Sequence, residues 1–176
     1  ILKKGDKQYR IGGINLYSDS LNLKDMEAYA VGKSSDGLGF YPVSVSKQLK
    51  GELLFSIGGA ESEFYGGLVI GPTFYHASFV SRDVFEEPFT RVYDFFTIGS
   101  YDLESGEQET LMNEERGLVG IGNIDGLLHI IQFDKAENLY RLKKWEDGEF
   151  IEIKSFTAGG TELIRLNSGV FLHDAS

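Results

Sequence analysis

The side chains best suited to bind a ligand are aromatic residues next to acids at predicted loop tips. Trp145, the only tryptophan, precedes an acidic hairpin turn that contains Asp147. A sugar ring can stack on an indole while carboxylates accept its hydroxyl protons. Tyr101 and Asp102 offer the same two kinds of side chain. These four residues are the predicted ligand-binding set, and the alternative for Trp145 is packing at the rim of the core.

Nucleophilic catalysis has little support in this chain. There is no cysteine and no Gly-x-Ser-x-Gly elbow, and the three histidines, His76, His129 and His173, share no metal-ligand spacing. His129 lies in the most apolar predicted strand, which favours a hydrogen-bonded core histidine over a general base. His76 lies among aromatic residues. No catalytic residue, metal or cofactor is predicted.

Acidic side chains are abundant, with 27 Asp and Glu residues. A pair of them could hydrolyse a glycosidic bond, and an acid-pair glycoside hydrolase is the enzymatic alternative. With so many acids, however, some pairs will lie close together by chance. The densest acidic stretch, residues 102–115, lacks the ligand spacing of a calcium loop and is predicted to be an exposed loop.

Charge and composition exclude several classes of function. The formal net charge of −10 disfavours nucleic-acid binding and attachment to anionic membranes. No apolar run approaches the roughly 20 residues that span a bilayer. The glycine-rich run 120–126 lacks the following helix that a dinucleotide-binding loop requires. The chain begins at Ile1 without Met, which suggests a processed product or a fragment.

The elements that must position these side chains are predicted to be strands. Short runs rich in Val, Ile, Phe and Tyr alternate with glycine along the chain. The predicted strands cover residues 7–14, 28–32, 39–45, 52–57, 64–70, 73–80, 91–98, 118–124, 127–133, 139–145, 149–156, 161–166 and 170–173.

Turn signals connect these strands. Asp125-Gly126 and Asp147-Gly148 each separate two apolar runs and predict tight hairpins, and residues 34–37 predict another turn. From residue 118 onward the spacing predicts an antiparallel meander, and residues 126–156 have a faint likeness to one propeller blade. At most one short helix is expected, at residues 20–29.

Burial is predicted from alternation and from aromatic content. Ile151 and Ile153 should face the core, with Glu152 on the wet face between them. Residues 127–131 are apolar on both faces, which indicates a covered central strand. Eleven aromatic residues between residues 64 and 101 indicate a thick core, with the alternative that some tyrosines form a recognition surface.

The predicted fold is therefore all-β, an antiparallel β-sandwich or jelly roll with a C-terminal β-meander. Residues 1–176 are predicted to form a single domain. A subdivision near residues 105–116 would separate a sandwich portion, 1–104, from the meander, 117–176.

Two segments carry a family resemblance. Residues 12–20, Gly-Gly-Ile-Asn-Leu-Tyr-Ser-Asp-Ser, resemble the opening of jelly-roll modules in bacteriophage tail-fibre (receptor-binding) proteins. Residues 89–97, Phe-Thr-Arg-Val-Tyr-Asp-Phe-Phe-Thr, are similar to a late strand of those modules. Together the segments cover less than a fifth of the chain. The resemblance implies a β-sandwich, a homotrimer on a fibre, and contact with a host-surface component.

The first functional hypothesis is a non-catalytic recognition domain at an extracellular or virion surface, binding a host-surface glycan or protein receptor. The second is a structural or assembly domain of a homo-oligomeric surface or virion protein. The third is a cytoplasmic, immunity-type inhibitor that mimics an anionic substrate through residues 102–115.

Overall fold

The computed structural model describes residues 2–4, 7–9, 17–18, 28–44, 49–84, 90–114, 117–166 and 169–174. These residues form strands joined by tight turns and a single 3-10 turn at Ala158–Gly160. The strands are β1 (Leu2–Lys4), β2 (Lys7–Tyr9), β3 (Tyr17–Ser18), β4 (Ala28–Ser34), β5 (Gly37–Ser44), β6 (Leu49–Lys50), β7 (Phe55–Gly58), β8 (Ser62–Ile70), β9 (Thr73–Val84), β10 (Thr90–Asp102), β11 (Gln108–Glu114), β12 (Leu118–Ile124), β13 (Leu127–Asp134), β14 (Leu139–Glu146), β15 (Glu149–Thr157), β16 (Thr161–Leu166) and β17 (Gly169–Asp174).

Three sheets follow one another along the chain. Strands β4, β5 and β7 form the first sheet, extended by β6 and β3. Strands β8 to β11 form the second sheet and β12 to β15 the third, each in chain order. Hairpins β1–β2 and β16–β17 complete the described strands. The predicted all-β antiparallel sandwich is confirmed, and the second and third sheets are both meanders.

The second sheet is apolar on both faces and lies between the other two. Its β9 contributes Phe74 to a first core with the first sheet and Ala77 to a second core with the third sheet. Phe40, fully buried, stacks on Phe74 with ring centroids 4.3 Å apart. Burying one such side chain contributes about 2–3 kcal/mol. The two cores therefore hold three layers together.

The aromatic-rich stretch contributes to both cores. Phe74 and Phe96 are buried, and Tyr65 and Phe79 pack around Phe96. Phe95 points the other way and is 44% exposed. The predicted aromatic core is confirmed for the described side chains other than Phe95.

The predicted hairpin turns are confirmed. Asp125 and Gly126 have φ of 52° and 81°, and Asp147 and Gly148 have φ of 52° and 85°. Positive φ at both central residues is the signature of the type I′ turn that matches strand twist. The turn at residues 34–37 joins β4 to β5 as expected. The meander from residue 118 follows from these turns.

The prediction of an exposed loop at residues 102–115 is wrong for its second half. Gln108–Glu114 form β11, which pairs antiparallel with β10. Met112 is the only buried residue of β11. Because the other side chains of this edge strand are exposed or half-buried, the sequence shows no alternating apolar pattern from which the strand could be predicted. The segment proposed as a subdivision, 105–116, thus contains a strand of the second sheet.

The predicted alternation in β15 also fails at one residue. Ile153 is 49% exposed rather than buried. Lys143 pairs with Glu152 and Leu142 with Lys154, so Ile153 is an extra residue in a β-bulge. A bulge breaks the two-residue period and turns the inserted side chain off the core face. The covered central strand is confirmed for residues 128–131 of β13, which are all buried, but not for Leu127, which is 42% exposed.

Some predictions fall outside the described residues. The short helix at 20–29 is one, because the described chain resumes at Ala28 with β4. Most of the segment 12–20 also lies outside, although Tyr17–Ser18 form β3. The segment 89–97 lies within β10 from Thr90 onward.

Candidate functional site

A cleft of about 530 Å³ opens between the second and third sheets. Strands β9, β10 and β11 form its floor, and β14 supplies one wall. We call it the acidic cleft; its lining residues are Thr73, Tyr75, Ser100, Asp102, Glu107, Gln108, Glu109, Leu111 and Trp145. Tyr75, Ser100 and Glu109 are register partners across three strands, so their side chains form one row on the same face.

The structure brings two of the four predicted binding residues together. Asp102, at the end of β10, and Trp145, near the end of β14, both line the acidic cleft. Tyr101 and Asp147 are not among its lining residues. Tyr101 faces the first core, and Asp147 lies exposed in the β14–β15 turn.

Trp145 packs at the rim of the second core, as the alternative prediction had it, and also lies in the lining of the acidic cleft. Its half-buried ring packs against the second core and lies 4.8 Å from the ring of Phe150, centroid to centroid. Trp145 is also a lining residue of the acidic cleft. Packing on one side fixes the orientation of the indole, so the cleft presents a preformed apolar wall.

Asp102 is fixed by the turn that follows β10. Its Oδ1 accepts hydrogen bonds from the backbone N–H groups of Glu104, at 2.9 Å, and Ser105, at 2.7 Å. The backbone N–H of Asp102 donates to the carbonyl oxygen of Glu107 at 2.8 Å. The carboxylate is thereby held at one end of the cleft and closes the β10–β11 turn.

The charge of the acidic cleft has one sign. Asp102, Glu107 and Glu109 are in its lining, which includes no Lys, Arg or His. A cleft lined by one sign of charge attracts ligands of the opposite sign and repels ligands of the same sign. This cleft therefore suits ligands that bring hydrogen-bond donors or positive charge, and it disfavours phosphate, sulfate and carboxylate groups.

A second, smaller cavity of about 280 Å³ lies on the other face of the second sheet, toward β7. We call it the histidine cavity; its lining residues are Phe55, Ser56, Ile57, His76, Thr97, Gly99, Ser100, Gln108, Glu109 and Thr110. Ser100, Gln108 and Glu109 line both cavities. The two cavities therefore flank the same short piece of β10 and β11.

His76 is the buried polar group of this cavity. Its side chain is 5% exposed, and its Nδ1 has no hydrogen-bond partner among the described residues. The rings of Phe55 and Phe74 lie 5.5 Å and 5.7 Å from the imidazole. Burial lowers the pKa of His76 to about 4, because an imidazolium would lose its hydration there. The imidazole is neutral near pH 7.

Gly99 makes room for this imidazole. It is the register partner of His76, and a Cβ at Gly99 would lie 2.6 Å from His76 Nε2 and 3.1 Å from the carbonyl oxygen of Glu109. Glycine within a strand marks such close approaches. Sequence reasoning did not select Gly99, although a glycine inside an apolar run was a usable signal.

The other polar clusters have structural explanations. His129 is buried, and its Nδ1 lies 3.0 Å from the carbonyl oxygen of Leu127, which confirms a core histidine. The guanidinium of Arg141 contacts Asp134, Glu137 and Glu152 and ties β14 to a turn and to β15. Within the described ranges, no group of three or more His, Cys, Asp or Glu side chains is placed to hold a metal ion. The side chain of His173 lies outside the described part.

No known protein family, curated protein or solved structure matches this chain. The part of the chain that the structure describes contains no helix long and apolar enough to cross a membrane.

Proposed function

We propose that this domain is a non-catalytic recognition module that binds its ligand in the acidic cleft. One observation carries the proposal: Asp102 and Trp145, on separate sheets, line a single cleft together with Glu107 and Glu109. A fixed aromatic wall opposite several acceptors is the composition of a binding site for ligands that have a flat apolar surface and hydrogen-bond donors.

The ligand is proposed to be a host-surface glycan or a protein receptor. A neutral or amino sugar offers hydroxyl or ammonium donors beside an apolar ring face, and a basic peptide segment offers the same combination. Anionic glycans are disfavoured, because three carboxylates line the cleft without a cation among the lining residues. Association with a cationic ligand should weaken as the salt concentration rises.

Intrinsic fluorescence tests this proposal, because Trp145 is the only tryptophan. The protein is titrated with neutral, amino and sialylated oligosaccharides and with basic peptides. We expect at least one neutral or cationic probe to change the emission, and Glu109→Gln and Glu107→Gln to weaken that response. Glu61→Gln, which removes the same charge from an exposed turn, is the matched control. A response confined to sialylated probes, or one equally weakened by the control, would overturn the proposal.

We further propose that the module assembles as a homo-oligomer at an extracellular or virion surface, as the likeness to tail-fibre modules suggests. Ile124 and Leu127 support assembly. They are register partners beside the Asp125-Gly126 turn, and they are 46% and 42% exposed. An exposed apolar pair at a hairpin end is suited to burial against another subunit. Sedimentation should detect an oligomer that Ile124→Ser with Leu127→Ser dissociates, and a strict monomer at micromolar concentration would exclude it.

A further inference from the structure

We infer that the outer edge of β11 accepts an extended peptide as an added strand, with a Lys or Arg side chain in the acidic cleft and the neighbouring side chain in the histidine cavity. This inference rests on the proposed function, because it uses the acidic cleft as the binding site. It adds the class of ligand, a basic peptide segment, and a second subsite on the opposite face of the sheet.

The first step is the position of β11. It is the outermost strand of the second sheet, and β10 is its pairing partner in the described structure. Gln108, Glu109 and Thr110 are exposed. An edge strand presents unpaired N–H and C=O groups that can pair with another extended segment.

The second step is the placement of the two cavities. Gln108 and Glu109 line both of them, and one cavity lies on each face of the sheet. Successive side chains of an added strand point to opposite faces. A peptide paired with β11 would therefore direct one side chain toward Trp145 and the next toward His76. Strand addition with pockets for alternate side chains is a recognised mode of peptide binding.

The third step is charge complementarity at the acidic cleft. Glu107 and Glu109 supply carboxylates to this cleft, and none of its described lining residues is Lys, Arg or His. The guanidinium of Arg, or the ammonium of Lys, supplies both charge and donors. The indole of Trp145 adds an aromatic surface on which a guanidinium can stack.

The fourth step is the composition of the histidine cavity. His76 is 5% exposed, and its Nδ1 lacks a hydrogen-bond partner in the described part of the chain, which is unusual for a buried polar group. Ser56, Thr97 and Thr110, three residues with hydroxyl side chains, line the same cavity. The cavity of about 280 Å³ has room for a Ser, Thr or Asn side chain, whose donor can pair with the Nδ1 of His76.

A β-bulge limits the length of the added strand. The β10–β11 register shifts between Ile98 and Gly99, so Leu111 has no register partner. The regular ladder available to a peptide therefore runs over Gln108–Thr110. A short ladder contributes few backbone hydrogen bonds, so we expect the two side-chain subsites to supply most of the affinity.

The free edge of the third sheet provides a contrast. β15 is also an outermost strand, but it carries exposed charges at Glu149, Glu152 and Lys154 and the bulge at Ile153. Charged side chains and bulges protect edges against pairing. None of the residues of β15 lines the acidic cleft or the histidine cavity.

The experiment uses synthetic hexapeptides with Arg at the third position and Thr at the fourth, in an otherwise Val and Ser background. Binding is followed by Trp145 fluorescence and by amide hydrogen exchange. We expect binding to weaken about tenfold when citrulline replaces Arg, since a charge-assisted hydrogen bond is lost, and when one central peptide amide is N-methylated. Exchange should slow at Gln108 or Thr110 in the complex.

Matched protein variants complete the test. Glu109→Gln should weaken peptide binding, whereas Glu149→Gln, the same change on the edge of β15, should not. Both side chains are exposed, so both variants are expected to fold. Loss of binding by Glu109→Gln with no effect of N-methylation would overturn strand addition and leave the proposed function standing.

Two other outcomes would also overturn the inference. Binding of neutral or amino oligosaccharides, with no hexapeptide bound, would overturn the inference in favour of a glycan in the acidic cleft. Peptide binding that Glu109→Gln and Glu107→Gln leave unchanged would overturn the inference and would count against the proposed function as well.

Discussion

The ring of Tyr101 stacks on the ring of Phe55, with centroids 4.3 Å apart and planes 11° apart. The next residue, Asp102, lines the acidic cleft on the other face of the sheet. Side chains along a strand alternate between faces, so one step separates a packing residue from a binding residue. Only Asp102 of this pair is placed to meet a ligand in the acidic cleft.

Substitution of Tyr101 should therefore change stability rather than binding. Tyr101→Ala should lower the free energy of unfolding by about 2–3 kcal/mol, because a half-buried ring leaves a cavity beside Phe55. Tyr101→Phe keeps the ring and should change the free energy of unfolding little. Urea denaturation measures both. If Tyr101→Phe folded normally but lost the fluorescence response to ligand, the hydroxyl would have to reach the binding site.

Gly99 should tolerate no larger residue while His76 is present. The Cβ of Gly99→Ala would lie 2.6 Å from His76 Nε2, and relief of that overlap should lower the stability by about 1–3 kcal/mol. His76→Ala removes the ring, so Gly99→Ala should be less destabilising in that background. A double-mutant cycle from urea denaturation gives the coupling energy. Additive effects of the two substitutions would contradict direct contact.

Much of the fold could be predicted from the sequence because its signals are local. Apolar runs bounded by glycine located most strands, and β12 and β16 have the predicted bounds. Asp-Gly pairs located two turns because few other residues accept positive φ. β11 escaped prediction because an exposed edge strand needs no apolar pattern. Ile153 was misplaced because a bulge changes the face without changing the composition.

The candidate site could be predicted only in part, because it depends on how the sheets stack. Trp145 and Asp102 were identifiable by residue type, but their shared cleft arises from packing of the third sheet on the second. The histidine cavity depends on the register that places Gly99 beside His76. Register and stacking are set by long-range contacts that local patterns do not encode.

The guanidinium of Arg141 should stabilise the end of the β13–β14 hairpin. Arg141 Nη1 lies 2.7 Å from Glu152 Oε2, and its Nε and Nη2 lie 3.3 Å and 3.2 Å from Asp134 Oδ2. Asp134 Oδ1 also accepts the backbone N–H of Glu137 at 3.1 Å. These contacts lower the pKa of Asp134, with the backbone hydrogen bond from Glu137 as the largest cause.

Arg141→Ala should therefore lower the Tm, and Arg141→Lys should lower it less, because Lys keeps the charge but not the planar fork of donors. The matched control is Lys144→Ala, which removes a single ion pair with Glu146 on the same strand. Thermal unfolding at low and high salt measures each effect. An equal loss of Tm in Arg141→Ala and Lys144→Ala would contradict a stabilising network.

The buried imidazole of His76 should make the stability depend on pH. The pKa of His76 is about 4 in the folded protein and 6.5 for an unperturbed imidazole. Between those values the unfolded chain binds a proton that the folded chain does not, so stability falls as the pH falls. The loss of stability begins below about pH 6.5 and grows progressively down to about pH 4. At pH 4 the free energy of unfolding is lower by about 3 kcal/mol than it is above pH 6.5.

Carboxylates also titrate in part of this pH range. The contribution of the imidazole is therefore obtained as the difference in stability between the unsubstituted protein and a variant without the imidazole. His76→Leu replaces the ring by an uncharged side chain of similar size, between Phe55 and Phe74. Urea denaturation gives the free energy of unfolding of both proteins at each pH. We expect this free energy to fall more from pH 6.5 to pH 4 in the unsubstituted protein than in His76→Leu. Parallel stability curves would show that the imidazole gains its proton without unfolding the core, and an NMR titration of His76 would then place its pKa near the ordinary value.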